Sequence, residues 1–258
     1  MLTSSAQVGR AAVWVSAALA AVAGWARLGN ATTAVALYTK GFAVVAADGR
    51  GTKLGPVISG HQSECKLYVA NGKVAVVAGL VEEPDSGFDV PRILHTVMNQ
   101  SMLVPRAADL VEQQIQRALP AALRVFENAN PGAFQERAAG SSQLLMVGTG
   151  SDNAIQVARR SAPYDPARPP GRDDAAGAAN RVGVALIGDT AAIDRDLERL
   201  HNSNGWEGMG NPADLEKLAR RFIALEMVDK PRQVGPPISM VLVDATGIHW
   251  VEAGACRE

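Results

Sequence analysis

The chain has 258 residues, of which 47% are hydrophobic and 20% charged, so it is long enough to form one domain with a substantial core. Its formal net charge of −1 offers no electrostatic attraction to a polyanion, which argues against a nucleic-acid partner. The two cysteines, Cys65 and Cys256, and the four scattered histidines lack metal-ligand spacing, so neither a metal nor another cofactor is expected. A disulfide between the two cysteines is left open.

The N-terminal segment, residues 1–31, differs from the rest of the chain. A polar start that ends at Arg10 precedes the uncharged apolar run 11–26, which the small residues Gly29 and Ala31 follow. This order is typical of a secretory signal peptide, and the run falls short of the roughly 20 apolar residues of a bilayer span. Cleavage after Ala31 would export a chain that begins at Thr32, in the periplasm or outside the cell. An uncleaved membrane anchor, a buried helix and a propeptide are the alternatives.

Two β-hairpins are predicted directly after this segment. The apolar runs "TTAVALY" and "FAVVAAD" are joined by the short turn "TKG". The stretch 66–80 repeats the arrangement around Asn71-Gly72, a dipeptide that strongly favours a hairpin turn. These strands are almost continuously apolar rather than alternating, which predicts a sheet that is covered on both faces.

The middle of the chain is predicted to contain two helices and two further strands. Apolar residues at helical spacing predict helices over 88–100 and 107–129, with Pro120 kinking or interrupting the second. The runs "SQLLMVGTG" and "NAIQVARRS" predict strands. The stretch 162–180 is rich in proline, glycine and aspartate, and it predicts a surface loop inserted within one domain.

The last third is predicted to contain a strand, two helices and a final hairpin. "RVGVALIGD" predicts a strand, and "AAIDRDLERLHNS" and "NPADLEKLARRFIALEMVD" predict helices, the second capped by Asn211 with Pro212 in its first turn. "PISMVLVDATGIHWVEAG" predicts a final hairpin. Burying the apolar faces of all these elements together requires two stacked sheets between helix layers, in one domain over 32–258.

A set of small and charged residues marks the predicted strands in a fixed order: Thr32-Thr33, the turn glycine Gly41, Asp48, Lys66 and Ala78-Gly79. This pattern resembles the start of a proteasome β-type subunit, and most closely the bacterial proteasome-like proteins of the N-terminal nucleophile (Ntn) hydrolase superfamily. The C-terminal "VGPPISMVLVDATGIHWV" is similar to the last hairpin of that family. The resemblance implies an α+β fold, a four-layer αββα sandwich in which two mainly antiparallel sheets stack between helix layers.

The resemblance also implies a threonine-type hydrolase of peptide or amide bonds. Thr32 would be the nucleophile, and its α-amine, whose unperturbed pKa is about 7.7–8.0, would accept the hydroxyl proton. Lys66 would lower the pKa of the hydroxyl, and Asp48 would keep that lysine charged and oriented. The Gly79 N–H would stabilise the oxyanion of the tetrahedral intermediate. Thr33 is the alternative nucleophile.

Three positions depart from the family pattern or match it only in part. Ala31 stands where the family has the glycine of its autocleavage site, so a signal peptidase would have to release Thr32. The Gly-Ser-Gly of the family becomes Gly188-Asp189-Thr190, in which Asp189 would form a salt bridge with the Thr32 ammonium and raise its pKa. Asp229 matches a late aspartate of the family, whereas the serine that accompanies it is not matched.

The sequence also allows a function other than hydrolysis. A catalytically silent proteasome-like structural or binding protein, attached to the membrane by an uncleaved N-terminal segment, is the alternative from another class. The expected partner of the active form is a peptide or amide substrate, and assembly into a homo-oligomer is left open. The S-x-x-K motif at 63–66 leads into a predicted strand and lacks its partner motifs, which argues against penicillin-binding chemistry.

Overall fold

The computed structural model describes residues 32–52, 61–129, 131, 140–179, 181–203, 205–206 and 209–256. Within these ranges the chain has mixed α and β structure, with two five-stranded antiparallel sheets and four α-helices. The predicted signal peptide or anchor, residues 1–31, lies outside the described residues. None of the helices in the described ranges is long and apolar enough to span a membrane.

The elements follow the predicted order of strands, helices, strands, helices and strands. The strands are β1 (Thr33–Tyr38), β2 (Phe42–Asp48), β3 (Arg50–Thr52), β4 (His61–Ser63), β5 (Leu67–Ala70), β6 (Lys73–Ala78), β7 (Glu82–Glu83), β8 (Phe88–Asp89), β9 (Ser141–Thr149), β10 (Ile155–Pro163), β11 (Gly171–Ala176), β12 (Gly183–Gly188), β13 (Ile238–Asp244) and β14 (Gly247–Glu252). The helices are α1 (Val90–Met98), α2 (Val104–Ala129), α3 (Ala191–Asn202) and α4 (Pro212–Asp229), and Pro84–Ser86 form a 3-10 turn.

The first sheet has the strand order β12-β1-β2-β13-β14, and the second has the order β11-β10-β9-β6-β5. The predicted hairpins β1–β2, β5–β6 and β13–β14 are all present as antiparallel pairs. The predicted strands β9 and β10 also pair with each other. All side chains of β1 and β6 are buried, which agrees with the prediction that their unbroken apolar runs are covered on both faces. The short pairs β3–β4 and β7–β8 had not been predicted.

The predicted surface loop over 162–180 is wrong in part, because it contains strand β11. This strand pairs with β10 along its whole length and forms one edge of the second sheet. Its sequence, "GRDDAA", has low β propensity, and most of its side chains are exposed. Charged residues are common on edge strands because they discourage pairing with other chains, and an edge of this kind carries no apolar periodicity from which it could be predicted.

The predicted interruption at Pro120 is also wrong, because α2 is one helix of 26 residues that includes Pro120. The proline removes one backbone hydrogen bond, but its side chain is exposed and does not disturb the buried face. Ile115 and Leu119 before it and Ala122 after it are buried in one apolar cluster, and Phe126 is buried as well. Tertiary packing on both sides therefore stabilises the helix across the proline.

The predicted Asn211 cap of α4 is confirmed, since its side chain accepts the Asp214 N–H at 3.0 Å.

Three apolar clusters hold the sheets and helices together. The first joins the facing sides of the two sheets and includes Val45 and Leu145. The second packs α1 and α2 against the outer side of the second sheet, and the third packs α3 and α4 against the outer side of the first sheet. Both faces of each sheet are thereby covered, as the strand sequences require.

A disulfide joins Cys65 to Cys256, which are 191 positions apart and have Cα atoms 4.4 Å apart. The pairing answers the question that the sequence left open. Cys65 directly precedes Lys66, and Cys256 follows β14 of the first sheet. The bond therefore ties the segment that carries the candidate lysine to the C-terminal end of the described chain.

Candidate active site

Asp48 is the buried acid at the centre of the candidate site. It ends β2 and has no exposed surface. Its Oδ1 accepts hydrogen bonds from the Thr33 N–H and from Lys66 Nζ, both at 2.9 Å. Its Oδ2 accepts from the N–H groups of Arg50 at 3.1 Å and Gly235 at 3.3 Å. These donors and the lysine replace the water that burial removes from the carboxylate.

Lys66 is the cation that compensates Asp48. Its side chain is 9% exposed, and Nζ also donates to the Arg50 carbonyl oxygen at 2.5 Å. Burial lowers the pKa of Lys66 below its ordinary value, although the adjacent Asp48 carboxylate acts in the opposite direction. The two hydrogen bonds to Asp48 and to the Arg50 carbonyl oxygen therefore hold the lysine in one buried position.

The two threonines have different surroundings at the start of β1. The Thr33 hydroxyl donates to the Asp189 carbonyl oxygen at 2.6 Å, and Thr33 has no exposed surface. The Asp189 N–H donates to the Thr32 carbonyl oxygen at 3.0 Å. The β1–β12 register, with Thr33 opposite Gly188, thus continues to Thr32 opposite Asp189. The Thr33 hydroxyl is engaged by the backbone, which argues against Thr33 as the nucleophile.

Gly188 allows the backbone of β12 to approach Thr32 closely. Its φ is +86°, and a Cβ at this position would lie 1.6 Å from the Thr32 carbonyl oxygen. Its N–H donates to Gln143 Oε1 at 3.0 Å, and Gln143 belongs to β9 of the second sheet. The threonine end of the first sheet is therefore hydrogen-bonded to the second sheet.

Gly79 lies at the corresponding end of the second sheet. It follows β6, whose last residue pairs with Gln143. Its φ is +101°, and a Cβ would lie 2.5 Å from the Ser141 carbonyl oxygen, so a larger residue does not fit without movement of the backbone. Because Gln143 also accepts the Gly188 N–H, Gly79 and the threonines lie at the same end of the two stacked sheets.

Asp189 has a partner that the sequence did not predict. Its carboxylate forms an ion pair with Lys230, the residue that follows α4. The Asp189 side chain is 5% exposed and that of Lys230 is 21% exposed. The sequence predicted that the Asp189 carboxylate pairs with the Thr32 ammonium, whereas in the structure it pairs with Lys230.

Asp229, the other late acid of the predicted site, forms an ion pair with α3. It is the last residue of α4, and its carboxylate accepts from Arg195 of α3 at 2.8 Å. Its side chain is 34% exposed. The ion pair holds the two helices together at the end where Lys230 begins the next loop, so any influence of Asp229 on the threonines passes through that loop.

The loop 230–237 contributes two further groups that the sequence did not predict. Gly235 donates its N–H to Asp48 and accepts the Gly49 N–H at 3.0 Å through its carbonyl oxygen. The Arg50 guanidinium donates to the Pro231 carbonyl oxygen. The loop therefore forms one wall of the site. The "GPP" that follows Val234 marks it in the sequence as a constrained loop, but not which groups it contacts.

A cavity of about 380 Å³ adjoins the site on the side of β12. Its lining combines apolar strand residues with polar and charged groups, among them Gln143, Arg159, Gly188, Thr190 and Asp194. The volume lies in the range of small-ligand sites and is sufficient for one side chain of a peptide. Among the residues that the structure describes, no group of three His, Cys, Asp or Glu side chains could hold a metal ion.

No protein-family model matches the chain, and no curated protein is significantly similar to it.

Glu226 connects the surroundings of Asp189 to the start of α3. It is fully buried on α4, and its Oε1 accepts the N–H groups of Ala192 at 2.6 Å and Ile193 at 3.0 Å. Thr190, the N-cap residue, makes no side-chain capping bond, so Glu226 satisfies these first donors of the helix. Burial raises the pKa of Glu226 above its ordinary value, against the effect of the two N–H donors, and the nearby Asp189 adds to the rise.

We expect Glu226→Ala to lower the free energy of unfolding by about 1–3 kcal/mol, because two helix donors lose their acceptor. Glu226→Gln should instead raise it at pH 7, because the amide keeps one acceptor oxygen and removes a buried charge. Since the folded pKa is raised, the folded state binds more protons above pH 4.5, so the wild-type stability falls as pH rises through that window. The gain from glutamine should therefore disappear below about pH 4.5. Urea unfolding at pH 7 and pH 4 measures both effects, and an equal gain at the two pH values would contradict this account.

Proposed function

We propose that the chain is a threonine-type N-terminal nucleophile hydrolase that cleaves peptide or amide bonds, with Thr32 as the first residue of its active form. The observation that carries the proposal is the pair of hydrogen bonds to Asp48 Oδ1, one from Lys66 Nζ and one from the N–H of the residue after Thr32. A single buried acid thereby connects the candidate nucleophile to the lysine that would activate it.

The arrangement of the sheets and helices supports the same proposal. One apolar cluster lies between the sheets, and one lies between each sheet and its pair of helices. We infer that these form the four layers of an αββα sandwich of the Ntn type. The proposed nucleophile directly precedes β1, which lies between β12 and β2 within its sheet. A nucleophile with a strand on either side is held rigidly, which hydrolysis requires.

In the proposed reaction, the Thr32 hydroxyl oxygen attacks the carbonyl carbon of the scissile amide, and the hydroxyl proton passes to the Thr32 α-amine. The tetrahedral intermediate collapses, the C–N bond breaks, and the proton leaves with the amine product. Water then hydrolyses the threonine ester and restores the hydroxyl. The amine can act as the base because its unperturbed pKa is about 7.7–8.0, and the Lys66 ammonium stabilises negative charge on the hydroxyl oxygen.

The Gly79 N–H is the proposed donor to the oxyanion of the tetrahedral intermediate. Its position at the threonine end of the second sheet supports this role, and loss of one such donor typically raises a barrier by about 2.7–4 kcal/mol. The steric overlap of a Cβ with the Ser141 carbonyl oxygen means that any side chain at Gly79 would displace this N–H. Glycine is therefore required for the backbone geometry and, in this proposal, for the chemistry.

We further propose that the active form is exported after cleavage between Ala31 and Thr32. The disulfide between Cys65 and Cys256 supports this location, because disulfides persist in the periplasm and outside the cell and are rare in a reducing cytosol. Export also provides the cleavage that the chemistry requires, since only a free N-terminus gives Thr32 an amine instead of an amide.

The chain isolated from its host is expected to begin at Thr32 and to form a covalent adduct with a peptide epoxyketone. This electrophile reacts with the hydroxyl and the amine of an N-terminal threonine together. Intact-mass and tandem mass spectrometry would locate both the N-terminus and the adduct. The matched control is a chain that begins at Ala31, in which the Thr32 amine is an amide, and no adduct should form on it.

Two outcomes would contradict the proposal in different ways. Finding only chains that begin at Met1 would contradict export and activation by cleavage. Finding chains that begin at Thr32 but form no adduct between pH 7 and pH 9 would favour the catalytically silent structural or binding protein.

A further inference from the structure

Lys230 has a defined place between α4 and the loop that lines the candidate site. Its N–H donates to the Glu226 carbonyl oxygen at 2.8 Å and ends the helix. Its own carbonyl oxygen accepts the N–H groups of Gln233 and Val234, both at 2.9 Å. These backbone bonds fix the position from which the side chain reaches the Asp189 carboxylate.

The Asp189 carboxylate belongs to the residue directly opposite Thr32. The Asp189 N–H donates to the Thr32 carbonyl oxygen at 3.0 Å, so the backbones of the two residues are in contact. An uncompensated carboxylate on this neighbour would stabilise the Thr32 ammonium and raise the pKa of the amine. The amine would then be protonated near neutral pH and could not act as the base of the proposed reaction.

Charged groups lie on or next to the elements that meet at this end of the first sheet, which are β2 to β5, β10, β12, α3, α4 and the loop after α4. They are Asp48, Arg50, Glu64, Lys66, Arg159, Asp189, Asp194, Arg195, Glu226, Asp229 and Lys230. Arg159 pairs with Asp173 of β11. Lys66 compensates Asp48, and Arg195 compensates Asp229. Burial disfavours the charged form of Glu226, and Asp194 accepts from the Thr190 hydroxyl at 3.0 Å. Lys230 is the cation that pairs with the Asp189 carboxylate.

We propose that Lys230 is a positioning residue for the hydrolase: by pairing with Asp189 it cancels the negative charge opposite Thr32, so that the Thr32 amine can accept the hydroxyl proton near neutral pH. This inference rests on the proposed function and adds the group that sets the pH range of the site. Lys230 acts through Asp189 and does not touch the reacting atoms.

The test is the pKa of the Thr32 amine, together with the pH profile of epoxyketone labelling. Chains that begin at Thr32 are released from a fusion protein, labelled with ¹³C-threonine and titrated by the Thr32 Cβ chemical shift. Lys230→Met should raise the amine pKa by about one unit, which lowers labelling at pH 7 about tenfold and leaves it near the wild-type rate above pH 9. Lys230→Arg keeps the charge and should leave both unchanged, and adding Asp189→Asn to Lys230→Met should reverse the shift.

Lys217→Met is the matched control. Lys217 lies on α4, and its ion pair with Asp214 spans 4.0 Å at a side chain that is 81% exposed, so its removal should alter neither measurement. An unchanged amine pKa in Lys230→Met would overturn the inference, whatever the activity. A uniform fall in labelling at every pH would show a merely structural role and overturn it equally. A raised amine pKa in Lys230→Met, with no labelling of the wild-type chain at any pH, would uphold the role of Lys230 and refute the hydrolase.

Discussion

Thr32→Ala is expected to abolish the epoxyketone adduct and to lower hydrolysis of peptide substrates at least about a thousandfold, because one residue supplies both the nucleophile and its base. Thr32→Ser keeps a hydroxyl and an amine, so it should retain the adduct and a measurable rate. Initial rates with a mixture of fluorogenic peptides, and the mass of the labelled protein, would measure the effect. Circular dichroism would verify that each variant is folded.

The neighbouring threonine provides a control with the opposite outcome. In Thr33→Val the Asp189 carbonyl oxygen loses its buried hydroxyl donor, so the free energy of unfolding should fall by about 1–3 kcal/mol while hydrolysis persists. If the adduct instead survived Thr32→Ala and disappeared in Thr33→Val, the nucleophile would be Thr33.

The hairpins could be predicted from the sequence because their signals are local. β1, β2 and β6 are unbroken apolar runs, and the Asn71-Gly72 turn between β5 and β6 fixes the register of that pair. β11 could not be predicted, because its pairing with β10 depends on backbone hydrogen bonds and not on an apolar pattern. The helix across Pro120 depends likewise on packing against the second sheet, which is not visible in its own sequence.

The contacts of the candidate site could likewise be predicted only in part. The contact between Asp48 and Lys66 was predicted, since the family resemblance assigns Asp48 the role of orienting Lys66, and the structure brings them to 2.9 Å. The Asp189–Lys230 ion pair joins residues 41 positions apart on a strand end and a helix end, and no local pattern specifies their approach. The disulfide across 191 positions was left open for the same reason.

Lys66→Met is expected to have the other large effect, on stability as well as on turnover. It leaves the buried Asp48 carboxylate with backbone donors but without its lysine, and breaking a buried ion pair on one side typically costs about 3–5 kcal/mol. Hydrolysis by the remaining folded protein should fall at least about a hundredfold, since the cation that favours ionisation of the Thr32 hydroxyl is lost. Denaturant unfolding and rates normalised to the folded fraction would separate the two effects.

The double variant Asp48→Asn with Lys66→Met distinguishes a catalytic lysine from a structural one. Removing both charges abolishes the unpaired carboxylate, and the asparagine oxygen can still accept the Thr33 N–H, so part of the lost stability should return. Turnover should not return, because the hydroxyl of Thr32 still lacks a neighbouring ammonium. Stability and activity are thus expected to separate in this variant. Recovery of turnover along with stability would mean that Lys66 serves only to compensate Asp48, and that proton transfer from Thr32 needs no cation beside it.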